Sequence, residues 1–128
     1  MALQAIIVGD ESFHRTKRHD DFIKTFVFPD GCLPSVGAIT KAAQRAPSLE
    51  ITDIHDIGLH YVPTLRNWRE NLADAADEVA ALGFDEPRFA RLWRMYLAYC
   101  EAGFAQRYVS TVQMTFRRNL EAVHSALR

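Results

Sequence analysis

Cysteine is scarce in this sequence, neither sign of charge prevails, and every run of apolar residues is short. The two cysteines, Cys32 and Cys100, lie far apart and fit no metal-binding or redox spacing, so we expect no disulfide framework. This cysteine usage favours a reducing compartment and predicts two small buried side chains. Fifteen basic and sixteen acidic residues leave a formal charge of -1. No global field therefore draws the chain to nucleic acid or to an anionic surface.

The first residues, "MALQAIIVGDES", contain an apolar run far shorter than a membrane span, and no basic flank precedes that run. We therefore expect neither a signal peptide nor a membrane anchor, and no transmembrane segment. The sequence predicts a soluble cytoplasmic protein. With 128 residues, 48% of them hydrophobic, the chain can bury one core and is too short for two ordinary domains.

Three stretches have the pattern of β-strands. "LQAIIVG" is apolar on both faces except at Gln4, which predicts a strand covered on both sides, as in an α/β sheet. "SLEITDIHDIG" places its apolar residues on one side, and "VSTVQMTFRRN" alternates apolar with polar residues. The predicted inward residues are Leu49, Ile51 and Ile57 in the second strand, and Val112, Met114 and Phe116 in the third.

Helices are predicted between these strands. "DESFHRTKRHDDFIKTFVF" is charged with a helix at its end, and the loop "PDGCLP" follows it. Ser35 is the expected N-cap of a helix over "SVGAITKAAQRA". The apolar residues of this helix lie on one face. The clearest helical pattern runs from Leu65 to Leu82, and Gly83 is its expected C-terminal cap. Its predicted core stripe consists of Leu65, Trp68, Leu72, Ala75, Val79 and Leu82.

One more helix is predicted over "DEPRFARLWRMYLAYCEAGF", with Asp85 as N-cap and Pro87 in the first turn. We expect this helix to be largely buried, and "LEAVHSALR" to form a short helical tail. The apolar residues predicted to stack along the first of these helices are Phe89, Trp93, Tyr96, Cys100 and Phe104.

Several stretches together resemble the C-terminal part of the cyclopropane-fatty-acyl-phospholipid synthases and the related mycolic acid methyltransferases. They occur in the family's order and at similar spacing, and they cover nearly the whole chain. The resemblance implies a class I S-adenosylmethionine-dependent methyltransferase fold, which is Rossmann-like, with seven strands and the last strand antiparallel between its neighbours. The three strands here would be the fifth, sixth and seventh. The matching stretches are "LQAI", "DFIKTFVFPDGCLPS", "IGLHYVPTLRNWREN", "GFDEPRFARLWRMYLAYCEAGF" and "VQMTF".

The family holds S-adenosylmethionine at a glycine-rich turn after its first strand, where the backbone can approach the ligand. The six glycines of this sequence are isolated, and no G-x-G occurs. We therefore expect residues 1–128 to be a single partial domain that lacks the cofactor-binding half. Such a chain would be a truncated piece, a split gene product or a decayed copy, and would be inactive alone. We expect it to form a homo-oligomer or to complement an N-terminal half.

The resemblance also implies a set of catalytic residues. The family transfers the sulfonium methyl group to a cis double bond of a lipid acyl chain, such as that of a phospholipid, and the resulting carbocation loses a proton as the ring closes. A bound bicarbonate is the implied base. Its implied ligands here are the Tyr61 hydroxyl, the Gln4 side chain and the backbone of Ile6. Gln4 replaces the histidine of many synthases, and an amide can donate to an anion but cannot carry a positive charge.

Each candidate has a structural alternative. Tyr61 taken alone would be a buried tyrosine whose hydroxyl meets a carbonyl. The cluster "HRTKRH" could meet lipid headgroups or form a solvated helix face. His55 and His60 with Asp56 fit no familiar metal spacing, and we expect no metal. Core packing or contact with an acyl chain would each account for the aromatic residues at helical spacing, which are Trp68, Trp93, Tyr96 and Tyr99.

Overall fold

The computed structural model describes residues 1–46, 49–84 and 88–118, in which strands alternate with helices. The strands are β1 (Ala2–Val8), β2 (Leu49–Asp56) and β3 (Val109–Arg118). The helices are α1 (Asp10–Arg18), α2 (Phe22–Phe26), α3 (Val36–Gln44), α4 (Tyr61–Asp74), α5 (Ala76–Ala81) and α6 (Arg88–Ala105), and one 3₁₀ turn spans Gly58–His60. The predicted N-cap Asp85, the first-turn Pro87 and the tail "LEAVHSALR" lie outside the described residues.

The three strands form one sheet in the order β1-β3-β2, and β3 is antiparallel to both neighbours. The last described strand in the sequence is therefore the central strand of this sheet and pairs with both others. Gln113 lies opposite Gln4 on one side and opposite His55 on the other. This topology confirms the expected α/β architecture with the last strand antiparallel between its neighbours.

One face of the sheet packs against α3. Val112, Met114 and Phe116 are buried there, as their alternation in the sequence predicted. Partly buried side chains from β1, α3 and β2 complete this cluster. The predicted N-cap is confirmed, since the Ser35 hydroxyl accepts a hydrogen bond of 3.2 Å from the amide of Ala38.

The pair α4 and α6 packs at the other end of the sheet. Leu65, Leu97 and Phe104 form its buried core, and Val109 of β3 packs against them. Glu101 of α6 accepts from Arg66 at 3.0 Å and from Arg69 at 3.1 Å, which ties the two helices together at their rim. These helices are thus anchored to β3 close to the point where the strand begins.

Strand β1 is covered on both faces at Val8, which is 2% exposed, but the expectation of two covered faces is wrong at Gln4 and Ile6. Leu3 and Ile7 pack on the α3 side. Gln4 is exposed on the opposite side, and Ile6 is 39% exposed. The reason is geometric, because α4 and α6 pack against the sheet near Val109, and the Tyr61 side chain at the start of α4 reaches Gln4 but leaves it exposed.

The predicted helix from Leu65 to Leu82 is interrupted at Ala75, which has φ -90° and ψ 17° and separates α4 from α5. Leu65 faces the core as predicted, whereas Trp68 is 52% exposed and Leu82 is 73% exposed, so their core assignment is wrong. Side chains seven residues apart point in nearly the same direction from a helix. A step of three residues, as from Leu65 to Trp68, rotates the side chain to one side, which here is away from α6. Gly83 has a φ of +79°, which confirms it as the C-terminal cap.

Helix α6 is less buried than predicted. Leu97 and Phe104 are buried among its described residues, whereas Met95 is 52% exposed and Tyr99 is 41% exposed. Tyr99 therefore does not belong to the core, and α6 is an amphipathic helix with one open face. The cysteine prediction fails for Cys32, which lies exposed in the loop before α3, while Cys100 is partly buried.

No helix in the described ranges combines the length and the apolar character that a membrane crossing requires.

Replacement of Met114 by alanine should destabilise the fold, because Met114 is 1% exposed at the centre of the β3 cluster. We expect a loss of roughly 2 to 5 kcal/mol in the free energy of unfolding, measured by urea denaturation. Met95→Ala, at a site 52% exposed, is the matched control and should change the free energy little. Equal losses in the two variants would contradict the assignment of the core.

Candidate functional site

The structure brings Gln4 and Tyr61 together, although 57 residues separate them. The Gln4 amide nitrogen donates a hydrogen bond of 3.3 Å to the Tyr61 hydroxyl. Tyr61 is the first residue of α4, and Gln4 lies in the middle of β1 on the open face of the sheet. The two side chains named by the resemblance therefore form one polar cluster.

Gln113 extends this cluster. Its amide nitrogen donates to the Gln4 carbonyl oxygen at 2.9 Å. Gln4 and Gln113 are register partners of β1 and β3, so their side chains project from the same face of the sheet. The sequence pattern placed Gln113 on the polar side of its strand, but only the pairing of the strands identifies Gln4 as its partner.

The ring of Tyr61 is fixed by packing. It stacks on Phe104 of α6 with the ring centroids 5.0 Å apart and an interplanar angle of 16°. Phe104 is 4% exposed and belongs to the core of α4 and α6. The ring of Tyr61 is therefore anchored in the core, and its hydroxyl reaches the open face beside Gln4.

A second hydrogen-bond network fixes the chain just before Tyr61. The Asp56 carboxylate accepts from the Ser110 hydroxyl at 2.5 Å and from the Gly58 amide at 2.8 Å. These two bonds, the Ser110 bond first, lower the pKa of Asp56, and attraction by Arg107 adds to them. Asp56 thus ties the end of β2 to β3 and to the turn that leads into α4.

Gly58 is required by close approach. A β-carbon at this position would lie 2.0 Å from the Ser110 hydroxyl oxygen and 3.0 Å from the Ser110 α-carbon. Gly58 is also buried in the turn before Tyr61. A larger residue would have to displace Ser110, whose hydroxyl holds Asp56, so this glycine helps to set the position from which α4 begins.

The backbone amide of Ile6 points to the open edge of β1. Met1 and Phe116 exchange backbone bonds of 2.9 and 2.8 Å, which makes them a hydrogen-bonded pair. Bonded and non-bonded pairs alternate along antiparallel strands, so Gln4 and Ile6 lie in non-bonded pairs and their amides face away from β3. Val8 agrees with this phase, since its amide donates to Pro34 rather than to β3.

The remaining candidates lie elsewhere. Trp93 and Tyr96 are partly buried and in edge contact, with centroids 5.3 Å apart. Burial raises the pKa of Tyr96 to about 12, with a smaller contribution from Cys100. Within the described residues, no three His, Cys, Asp or Glu side chains are grouped as metal ligands, and His55 and His60 are exposed. The segment from His14 to His19 lies along α1 and beyond its end, and α1 has no buried residue.

Comparisons with family models and with curated proteins point to the same family. The family model described as mycolic acid cyclopropane synthetase matches residues 1–114. The chain belongs to this family. A relative named tuberculostearic acid methyltransferase UfaA1, from Mycobacterium tuberculosis, is 41% identical over 118 residues, which cover 92% of this chain. The cyclopropane-fatty-acyl-phospholipid synthase of Escherichia coli K12 is 35% identical over 80% of this chain.

Solved structures of cyclopropane synthases share the fold of this chain over a little less than half of their length. The synthase CmaA1 complexed with SAH and CTAB matches 92% of this chain with a TM-score of 0.74 and 25% identity. MmaA2 of Mycobacterium tuberculosis matches with a TM-score of 0.78 and 21% identity. The chain spans about a quarter of the length of these two curated relatives, 27% and 26%, and 44% of the CmaA1 chain.

The Asp56 network makes the stability of this chain depend on pH. Because the folded-state pKa of Asp56 is lowered, its contribution is present above the usual carboxyl pKa and is lost as the pH falls through the folded value. At neutral pH, the free energy of unfolding of the wild type should be larger than that of Asp56→Asn. This difference between the two proteins should become smaller below a pH of about 4. Asp53→Asn, an exposed change on the same strand, is the control. A difference that does not vary with pH would contradict this role of the Asp56 charge.

Proposed function

We propose that this chain is the C-terminal part of an S-adenosylmethionine-dependent methyltransferase that methylenates cis double bonds of lipid acyl chains in the cytoplasm. Membership of the cyclopropane synthetase family supports the reaction class. The observation that carries the site is the bond between Gln4 and Tyr61, which joins two residues distant in sequence on one open face. Phospholipid acyl chains are the proposed substrate class, since the Escherichia coli relative is named for them.

The cluster has the donors that a small anion needs. One N–H of the Gln4 amide is engaged with Tyr61 and the other remains, the Tyr61 hydroxyl accepts a bond and keeps its own proton, and the Ile6 amide faces the open edge. Donors from a side-chain amide, a hydroxyl and a backbone amide are the groups that hold oxyanions in proteins. We assign these residues to a bicarbonate site. When bound, bicarbonate would supply the base that accepts the proton from the substrate.

The surroundings fit a cationic intermediate at the substrate. The ring of Tyr61, held by its stacking on the buried Phe104, and the exposed side chain of Ile6 provide aromatic and apolar surface next to the donors. Aromatic faces stabilise a nearby cation, and apolar surface excludes water that would trap it. Gln4 stays neutral throughout, so its role is to hold the anion, and it carries no proton.

In this proposal, no residue of this chain binds S-adenosylmethionine. None of its six glycines forms the G-x-G turn at which such a cofactor lies against the backbone. The proposed single partial domain of residues 1–128 therefore works with a complementing N-terminal half that supplies the cofactor site.

The chain should restore methyl transfer when co-expressed with the part of the Mycobacterium tuberculosis relative that it does not cover. Incorporation of labelled methyl groups from S-adenosylmethionine into cis-unsaturated phospholipid is the measurement. Tyr61→Phe keeps the ring stack and removes the hydroxyl, so we expect transfer to fall by roughly 10²-fold. Tyr108→Phe, a 46% exposed site, is the matched control and should leave transfer little changed. Equal transfer by the wild type and the Tyr61→Phe variant would exclude the assigned role.

Self-association is a second candidate function, favoured by the open edge of β1. Within the described residues β1 pairs only with β3, and its other edge presents free backbone groups beside Ile6. Such an edge can pair with a second copy of itself.

Sedimentation of the isolated chain should show dimers, and Ile6→Lys should shift the chain to monomers because a charge at the edge opposes strand pairing. Ile54→Lys, at a 44% exposed site on the opposite edge strand β2, is the matched control and should leave dimers intact. A wild-type chain that stays monomeric at high concentration would remove this candidate.

A further inference from the structure

Three side chains form a directed chain of hydrogen bonds across the open face of the sheet. Gln113 donates to the Gln4 carbonyl at 2.9 Å, and the Gln4 amide nitrogen donates to the Tyr61 hydroxyl at 3.3 Å. The direction is the same at both steps, from β3 through β1 to the start of α4. Within the described ranges, no other side chain bonds to the Tyr61 hydroxyl.

This direction decides what Tyr61 can offer a ligand. A primary amide donates from one end and accepts at the other, so an amide that accepts from Gln113 must turn its nitrogen toward Tyr61. The Tyr61 oxygen then accepts a bond, and its hydroxyl proton stays free for a different acceptor. In the opposite direction, the Gln4 carbonyl would accept that proton, and the cluster would lose a donor.

A half-turn of an amide exchanges its oxygen and nitrogen at almost no change in shape, and this holds for Gln113 as well as for Gln4, so the two amides must turn together. In this structure the Gln113 nitrogen is the end directed at Gln4, and that sets the direction of the next bond. Gln113 is the described residue that bonds to the other end of the Gln4 amide. The packing of the Tyr61 ring on Phe104 fixes the position of the hydroxyl but not the direction of the bond it makes.

We infer that Gln113 is a positioning residue that orients the Gln4 amide, so that Gln4 and Tyr61 both present donors to a bound oxyanion. That the oxyanion is bicarbonate rests on the proposed function. The orientation of Gln4 does not, and it can be measured in the isolated chain. Gln113 acts through Gln4 and does not itself touch the anion.

Two substitutions of similar size separate the directions. Gln113→Glu offers only acceptors, so the Gln4 nitrogen should turn toward Glu and away from Tyr61. Gln113→Lys offers only donors and should keep the native direction. Nuclear Overhauser contacts between the Gln4 side-chain amide protons and the Tyr61 ring report the orientation directly. We expect these contacts in the wild type and in Gln113→Lys, and their loss in Gln113→Glu.

Bicarbonate binding is the second measurement, made on the same chain by titration with ¹³C-labelled bicarbonate. Binding should weaken roughly tenfold in Gln113→Glu, as expected for loss of one hydrogen bond to a charged group, and should be retained in Gln113→Lys. Thr115→Glu adds the same negative charge two residues along the same exposed face. It controls for repulsion of the anion and should leave Gln4 oriented as in the wild type.

The outcomes separate this inference from the proposed function. Retained amide-to-ring contacts in Gln113→Glu would overturn the inference, and so would equal weakening of bicarbonate binding in Gln113→Glu and Thr115→Glu. Loss of the contacts in Gln113→Glu with their retention in Gln113→Lys would support it. If that pattern holds while the wild type binds no bicarbonate, Gln113 still orients Gln4, and the assigned anion is wrong.

Discussion

The antiparallel pairing of β3 between β1 and β2 is the constraint on which the fold and the candidate site depend. Because β3 is the last described strand, this pairing closes the longest loops of the chain and brings Gln113 beside Gln4. The same strand carries Ser110, which holds Asp56 and the turn before Tyr61. A shift of β3 by one residue would turn Gln113 to the covered face and Met114 to the open face.

The strands and helices could be predicted from the sequence wherever a single hydrophobic periodicity ran along the segment. The alternation in β3 identified Val112, Met114 and Phe116 as inward residues, and Ser35 and Gly83 marked helix ends through local chemistry. Local sequence did not determine which apolar residues would meet a partner. Trp68 continues the apolar spacing of its helix yet is 52% exposed, since α6 covers only part of that stripe.

The candidate site was predictable in part, through the family resemblance and not through hydrophobic periodicity. Physical argument from the residues favoured a buried tyrosine at position 61, and only the resemblance paired Tyr61 with Gln4. The structure brings the two within hydrogen-bond distance. Gln113 and Phe104 were not assigned to the site, because strand pairing and helix packing place them there and neither is encoded within a short segment.

Glutamine at position 4 changes what the rest of the cluster must do. A histidine can gain a charge and attract an anion from either protonated nitrogen, whereas an amide is neutral and has one donating and one accepting end. An anion site built on an amide therefore needs a neighbour that engages the accepting end. Gln113 meets that need because it shares a non-bonded pair with Gln4, the type of pair in which opposite side chains lie closest. The strand register that builds the core thereby also sets which end of Gln4 faces Tyr61.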